Sequence, residues 1–335
     1  MNPPAEHPPI TTPKIGVLLI NLGTPNSPEP GSVRLYLKEF LSDPRVVEIP
    51  QLVWQPILRG VILTTRPKKS AHAYSQVWTD EGSPLAAITA RQARALEGAF
   101  GDNVVVDHAM RYGKPAIRER IDWLKGQGCE RILIAPLYPQ YCAATTATAN
   151  DEAFAHLRTL RWQPAVRTLP PYHDDPDYID ALKTRTEEGL AALDFEPQAV
   201  LASFHGMPQR TLELGDPYHC HCRKTARLLS DALGRDLRVT FQSRFGRAKW
   251  LEPATDKVLE ALPGEGVARV AIVAPGFSAD CLETLEELAI RGRESFMAAG
   301  GTHFAYLPCL NDSAPGIEML RSIVGRELEG WRPRN

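Results

Sequence analysis

The chain has 335 residues, 43% of them hydrophobic and 23% charged, and a formal net charge of −2. This composition predicts a globular protein of about two domains, and the near-neutral charge argues against nucleic acid as the main partner. No apolar run approaches the roughly 20 residues that span a bilayer. Six scattered cysteines are too few for a disulfide framework and favour the reducing cytoplasm.

The predicted elements alternate along the chain. Residues 1–13 are polar and rich in proline, which predicts a disordered leader. After them, apolar runs of strand length alternate with amphipathic stretches, as is typical of parallel α/β folds. Strands are predicted at Ile15–Leu22, Val104–Met110, Arg131–Pro136, Val200–His205, Leu237–Gln242 and Val267–Pro275. Helices are predicted at Gly31–Leu41, Leu85–Phe100, Pro115–Gly126, Thr145–Leu160, Pro176–Leu193, His221–Leu233, Pro253–Leu262, Asp280–Ala298 and Ala314–Glu329.

Three signatures occur twice in the same order, which indicates two similar α/β halves. Gly23-Thr24-Pro25 returns as Gly206-Met207-Pro208, and Arg111-Tyr112-Gly113 returns as Arg244-Phe245-Gly246; residues 131–138 match 269–277. We place the halves at residues 14–170 and 171–335, on either side of a Pro-rich stretch. The C-terminal helix is expected to pack back on the first half.

The first half carries an insertion of about 50 residues, centred on 40–85. Its matched signatures are 88 positions apart, against 38 in the second half. The insertion holds apolar residues at helical spacing followed by Arg66, Lys68 and Lys69. It predicts a lip over a cleft or a membrane-facing edge, with an ordinary packing helix as the alternative.

The two copies differ chemically at their strand ends. His205 stands where the first half has Leu22, and Glu283 stands where it has Ala144. Ligands of open parallel sheets bind at the carboxyl ends of strands, which makes both residues candidates for chemistry. A hydrogen-bonded structural histidine is the alternative for His205.

Asp280, Glu283 and Glu287 are three and four positions apart and predict one acidic stripe on a helix. The helix dipole alone accounts for Asp280 at a helix start, but less well for Glu287. A neutral imidazole with one carboxylate makes a weak, open site for a divalent transition metal, so His205 and Glu283 are predicted metal contacts. The stripe suits cation passage or proton removal.

Aromatic and small polar residues recur at the predicted strand ends and indicate an apolar cleft for a flat substrate. Packing in the core is the alternative for each of them. They are Ser83, Tyr112, Tyr138, Tyr141, Trp250 and Phe277.

The stretch Tyr218–Cys222 holds two thiols and two imidazoles. It fits part of a zinc or iron–sulfur site, or a polar helix start, and no second C-x-C or C-x-x-C pair completes four ligands. The loops GxGxxG and GxxxxGK[ST] are also missing, which disfavours a nucleotide cofactor.

Longer motifs of the chain resemble those of the ferrochelatases, enzymes that insert ferrous iron into a porphyrin. The resemblance implies two Rossmann-like halves of chelatase type, each a parallel sheet flanked by helices, with a cleft between them. It implies insertion of iron into protoporphyrin IX to form protohaem. The motifs that carry it are Asn21–Pro25, Glu81–Leu85, Met110–Tyr112, Pro136–Tyr141, Ser203–Pro208, Gly215–Tyr218, Phe241–Arg244, Trp250–Leu251 and Phe277–Leu285.

By position, the resemblance implies that His205 and Glu283 contact the iron, with Glu287 and Asp280 behind Glu283. We expect the pocket to bend the ring and His205 to accept pyrrole protons. Glu283, Glu287 and Asp280 would guide iron or carry protons away. The residues implied for the porphyrin pocket are Ser83, Arg111, Tyr112, Tyr138, Trp250 and Phe277.

The implied substrates are a porphyrin and ferrous iron, and the implied form is bacterial and cytoplasmic. Implied partners are a membrane surface at the lip and an upstream haem-pathway oxidase or iron donor. Eukaryotic members bind a [2Fe-2S] cluster through C-terminal cysteines; residues 329–335 contain none, which leaves Cys220 and Cys222 as internal candidates. Two alternatives stay open: a chelatase for another tetrapyrrole or metal, such as coproporphyrin or cobalt, and a porphyrin or haem carrier without turnover.

Overall fold

The computed structural model describes residues 13–246 and 248–331, so the predicted leader lies outside the described residues except for Pro13. The first half contains two π-helical segments, Leu58–Ile62 and Ala143–Ala147. The strands of the first half are β1 (Lys14–Thr24), β2 (Val104–Gly113), β3 (Cys129–Pro136) and β4 (Ala165–Thr168). Its helices are α1 (Pro30–Ser42), α2 (Gln51–Ile57), α3 (Leu63–Val77), α4 (Pro84–Gly98), α5 (Ile117–Gly126) and α6 (Thr148–Leu157).

The second half repeats this plan. The helix expected at 280–298 begins later, as a π-helix over Glu283–Gly292, and continues as an α-helix over Arg293–Ala298. The strands are β5 (Ala199–His205), β6 (Leu237–Gln242), β7 (Arg269–Val273) and β8 (His303–Tyr306). The α-helices are α7 (Pro176–Ala191), α8 (Gln209–Glu213), α9 (Tyr218–Leu233), α10 (Thr255–Ala261), α11 (Arg293–Ala298) and α12 (Ala314–Glu327).

Each half is built around one parallel sheet of four strands. The orders are β2-β1-β3-β4 and β6-β5-β7-β8, so the two sheets have the same topology. In the first sheet, Val17 and Leu19 face α4, α7 and α12, whereas Leu18 and Ile20 face α5 and α6. Burial of both faces explains the continuous apolar runs of the strands. The predicted fold class, two α/β halves with parallel sheets, is confirmed.

The sequence patterns missed β4 and β8, the last strand of each sheet. Both strands are four residues long, and their side chains are partly exposed because each lies at an edge. A short edge strand lacks the apolar run that marks a central strand. Among residues 13–246 and 248–331, we find no helix with the length and apolar character of a membrane span.

The segment Gln51–Val77, here called the lip, covers one end of the first half. Its Leu58, Leu63 and Tyr74 pack against Tyr36 and Tyr112. It also reaches the second half, because Leu282 packs on the same cluster. The Arg66 guanidinium lies 5.2 Å from the centre of the Phe245 ring. The lip therefore lies next to the strand ends of both halves.

The repeated glycines let neighbouring strands approach closely. Gly23 has φ = +111°, and a Cβ placed there would lie 1.8 Å from the carbonyl oxygen of Tyr112 on β2. At the matching position, a Cβ on Gly206 would lie 2.4 Å from the carbonyl oxygen of Gln242 on β6. Only a residue without a side chain fits, which explains why glycine occurs in both copies.

We predict that Gly23→Ala lowers the free energy of unfolding by at least about 3 kcal/mol, because it adds a backbone clash to a left-handed conformation. Gly82→Ala is the matched control, since Gly82 has φ = +97° but open space around its Cα. The control should lose only about 1 kcal/mol. Urea denaturation measures both variants, and equal losses would contradict the close approach.

Candidate active site

His205 is the last residue of β5 and is partly exposed at the carboxyl end of the sheet. Its Nδ1 atom lies 2.7 Å from the carbonyl oxygen of Gly206. A carbonyl oxygen only accepts hydrogen bonds, so we assign the proton to Nδ1. Nε2 then keeps its lone pair, which is the state needed in a base or a metal ligand.

The backbone around His205 is held from two sides. The Tyr218 hydroxyl donates a hydrogen bond of 3.0 Å to the His205 carbonyl oxygen. A Cβ on Gly206 would lie 3.3 Å from the ring of Trp250, so this ring packs against the turn that follows His205. The Trp250 Nε1 atom donates to the Phe245 carbonyl oxygen at 3.0 Å.

Gln242 joins His205 to the acidic helix, although no sequence pattern distinguished it as a site residue. Its Cα pairs with that of His205 across β5 and β6. Its side-chain oxygen accepts a hydrogen bond of 2.7 Å from the Ser203 hydroxyl. Its Nε2 donates to the Glu283 carbonyl oxygen at 2.8 Å. The signal for this role was its place at the end of a predicted strand beside the one that carries His205.

Glu287 lies one turn beyond Glu283 in the π-helix and is bound by the loop after β6. Its Oε1 accepts from the Ser243 backbone N–H at 2.7 Å, and its Oε2 accepts from the Ser243 hydroxyl at 2.5 Å. Burial raises the pKa of Glu287, while the hydrogen bonds from Ser243 and the positive charge of Arg291 oppose this rise. Ser243 has φ = 64°, a strained conformation for a residue with a side chain.

The Glu283 carboxylate lies on the side of the lip. Burial raises the pKa of Tyr74 and Cys281, and the negative charge of Glu283 raises both further. It acts on Tyr36 in the same direction. Glu283 therefore lies where the lip and the second half meet.

Asp280 is a more enclosed group than the predicted stripe suggests. Its Oδ1 accepts hydrogen bonds from Thr284 (2.8 Å) and Tyr306 (2.5 Å), and its Oδ2 accepts one from Asn311 (2.6 Å). The side chain is buried. These bonds fix the start of the π-helix, and no sequence pattern indicated Tyr306 or Asn311 as partners.

Arg111 and Tyr112 share a carboxylate partner within the first half. The Arg111 guanidinium is 2.6 Å from Asp43, and the Tyr112 hydroxyl donates to the same oxygen at 2.9 Å. Arg111 also donates to the Thr148 hydroxyl at 2.7 Å. Tyr112 is wholly buried. The structure thus places Tyr112 in the core and leaves only Arg111 partly exposed.

Phe277 lies where the halves meet, packed against Leu85 and Ile88 of α4 and against Cys281. Ser83, directly before α4, is buried. The Tyr138 ring packs on the first sheet, and its buried hydroxyl has no hydrogen-bond partner among the described residues. The structure therefore places Phe277 at the junction of the halves, against the helix that Ser83 precedes.

Comparison with known proteins identifies the family of this chain. The ferrochelatase family model matches residues 14–328. The chain belongs to the ferrochelatase family. It is 55% identical to the ferrochelatase of Agrobacterium fabrum, over 98% of this chain and 97% of that protein. It is 56% identical to that of Rhizobium meliloti, over 99% and 100%.

Solved structures support the same fold. SirB from Bacillus subtilis with Fe3+ superposes with a TM-score of 0.56 at 15% identity, covering 95% of this chain and 96% of that one. The cobalt complex of the sirohydrochlorin chelatase SirB, from Bacillus subtilis subspecies spizizenii, gives 0.53 at 13% identity, covering 95% and 98%. At this identity, the likeness concerns the fold alone.

The stretch Tyr218–Cys222 holds the two cysteines that are candidates for the [2Fe-2S] cluster known in part of the family. Cys222 is buried in the core, where burial raises the pKa of its thiol, whereas Cys220 is exposed. Over the part of the chain that the structure describes, no group of three or more His, Cys, Asp or Glu side chains is arranged to hold a metal ion. The two cysteines therefore differ in their access to solvent, and a cluster on them stays a prediction.

The histidines of this stretch have another arrangement. The His221 ring stacks on His173 with 3.6 Å between centroids and 7° between planes. Tyr141 donates its backbone N–H to the His221 Nδ1 atom at 3.2 Å. Burial and the neighbouring His221 lower the pKa of His173 to about 4, although Asp174 acts in the opposite direction.

We predict that this pair makes the protein sensitive to acid. His173 stays neutral in the folded chain, while the unfolded chain takes up a proton below a pKa of about 6.5. Its contribution to the free energy of unfolding is therefore present above pH 6.5 and lost as the pH falls towards 4, by about 2 kcal/mol. His173→Phe keeps a ring in the stack and should flatten this dependence in urea denaturation from pH 7 to 4.5. If the free energy of unfolding changed equally with pH in both proteins, His173 and His221 would not be the source of the acid sensitivity.

Proposed function

We propose that this protein inserts ferrous iron into protoporphyrin IX and releases protohaem, a lyase reaction of haem biosynthesis. The observation that carries the proposal is the state of His205. Its Nδ1 donates a hydrogen bond to the Gly206 carbonyl oxygen, which leaves Nε2 free to act as a base. His205 lies at the end of a strand in a chain of the ferrochelatase family. The acidic residues Glu283 and Glu287 lie on the helix joined to the same strand ends.

Insertion replaces two pyrrole N–H bonds by bonds to iron and releases two protons. In our proposal, His205 Nε2 accepts a pyrrole proton from a ring that the pocket holds bent. Glu283 contacts the iron, and His205 does so through Nε2 only while that atom carries no proton. Glu287, whose pKa is raised by burial, takes up protons more readily than an exposed carboxylate would. Asp280 supports this group by fixing the start of the π-helix.

The porphyrin would lie between the halves. Phe277 and Trp250 offer aromatic faces to a flat ring, and the buried Tyr138 hydroxyl is a polar group without a partner in the described structure. Arg111, held by Asp43, supplies a fixed positive charge. Ser83 would add a small polar group at the start of α4, the helix against which Phe277 packs, and Tyr112 would support Arg111 from the core.

The lip is proposed as a peripheral membrane contact. Leu52 is 93% exposed, and Val53 and Val61 are 56% and 55% exposed. Exposed apolar residues beside Arg66, Lys68 and Lys69 fit an anionic lipid surface. An apolar porphyrin from an upstream oxidase would reach the cleft there, and iron would come from a donor, with the protein otherwise in the cytoplasm.

We predict that His205→Ala lowers kcat for iron insertion by about 10²- to 10⁴-fold, because the pyrrole protons lose their acceptor. Porphyrin binding should change little, since His205 is not part of the apolar walls. The measurement is anaerobic insertion with protoporphyrin and coproporphyrin, and with ferrous iron and cobalt, beside a fluorescence titration of porphyrin binding.

Glu283→Gln should lower kcat more than Glu287→Gln, because Glu283 is the inner residue. The reverse order would contradict its assignment as the iron contact. Porphyrin binding by the wild type without insertion of either metal would point to a carrier. A preference for cobalt or coproporphyrin would point to another chelatase.

We predict that Leu52→Glu with Val61→Glu abolishes flotation with anionic lipid vesicles, because charges replace the apolar contact. Trp162→Glu is the matched control, since Trp162 is 45% exposed but lies outside the lip. Sedimentation with neutral vesicles measures how much of the vesicle binding depends on the charge of the lipid. Loss of flotation in the control alone would place the membrane contact elsewhere.

A further inference from the structure

The line of acidic residues on the π-helix ends in a cation. Glu283, Glu287 and Arg291 recur every fourth residue within Glu283–Gly292, close to one turn of this wide helix. The Arg291 side chain is 56% exposed, against 21% for Glu287. Arg291 therefore stands at the outer end of the line, towards solvent.

Arg291 is held there by two neighbours. Its Nε atom lies 2.8 and 3.0 Å from the two carboxylate oxygens of Glu286, whose side chain is only 8% exposed. Its Nη2 atom lies 3.9 Å from Oε2 of Glu287. The π-helical geometry explains the contact between Arg291 and Glu286, because residues five positions apart are neighbours on its surface. The guanidinium thus has a fixed place beside Glu287.

A divalent ion arriving at Glu287 from this end would meet two obstacles. Ser243 already donates to both oxygens of the carboxylate. The guanidinium repels a doubly charged ion at short range in a partly buried setting. A proton is hindered less than a metal ion. While the proton is bound, Glu287 is a neutral carboxylic acid, and after the proton leaves, Arg291 stabilises the carboxylate that remains.

We propose that Arg291 is a specificity-determining residue that closes the outer end of this line to iron, so that the line removes protons and does not deliver metal. The inference rests on the proposed function of His205, Glu283 and Glu287, and it decides between the two roles that an acidic line can have.

The test removes the charge without leaving Glu286 unpaired in the interior. E286Q is the reference, and E286Q/R291Q and E286Q/R291E are the test variants. At low ionic strength, kcat/KM for ferrous iron should be about tenfold higher in E286Q/R291E than in E286Q, and intermediate in E286Q/R291Q. The gain should shrink in high salt. R227E, the same charge change on the exposed face of α9, should stay within about twofold of wild type.

A second readout needs no turnover. Mn²⁺ binding, followed by electron paramagnetic resonance, should show a new site in E286Q/R291E that disappears when Glu287→Gln is added. A Mn²⁺ site in wild type that depends on Glu287, or unchanged kcat/KM and Mn²⁺ binding in both test variants, would overturn the inference. Failure of the proposed function has a different signature, namely no metalloporphyrin from wild type, and the Mn²⁺ readout still decides the role of Arg291.

Discussion

The side-chain amide of Gln242 is the contact on which the site depends. It accepts from Ser203 on β5 and donates to the first carbonyl of the π-helix, and its own Cα is paired with that of His205. One buried amide thus sets the position of the histidine strand relative to the acidic helix. Both partners are buried or partly buried, where an unmade hydrogen bond is costly, so the arrangement tolerates little slippage.

The π-helix explains why the acidic residues lie where they do. Its start is held against β8 and the following loop by the hydrogen bonds that Asp280 accepts from Tyr306 and Asn311. Its wide turn brings Glu286 onto Arg291 and leaves Glu287 to the loop after β6. The carboxylates of Asp280, Glu286 and Glu287 therefore have three different environments. Asp280 is buried and hydrogen-bonded, Glu286 is buried and paired with a cation, and Glu287 is partly buried and hydrogen-bonded to Ser243.

The duplication gives both halves the same sheet, but their strand ends serve different purposes. The first half has Leu22 and Ala144 at the positions of His205 and Glu283, and both of these residues pack against apolar neighbours. Its polar groups instead form the Asp43, Arg111 and Tyr112 network, and its insertion forms the lip. In the proposed function, the first half therefore supplies the walls of the pocket, and the second half supplies a base and carboxylates.

Much of this was accessible from the sequence alone. Apolar runs located the central strands because both faces of a parallel strand are buried, and the repeated signatures identified two halves. The motifs also pointed to His205 and Glu283. Strands β4 and β8 escaped because edge strands carry no such run.

Only the tertiary structure decided how the ionisable groups are used. Helical spacing put Asp280, Glu283 and Glu287 in one stripe, yet Asp280 is satisfied by Tyr306 and Asn311, which are distant in sequence. Likewise, Arg111 meets Asp43, 68 positions away. The sequence determined which residues stand at the strand ends, because periodicity is local. Their hydrogen-bond partners, and with them their charge and accessibility, come from other segments that only folding brings near.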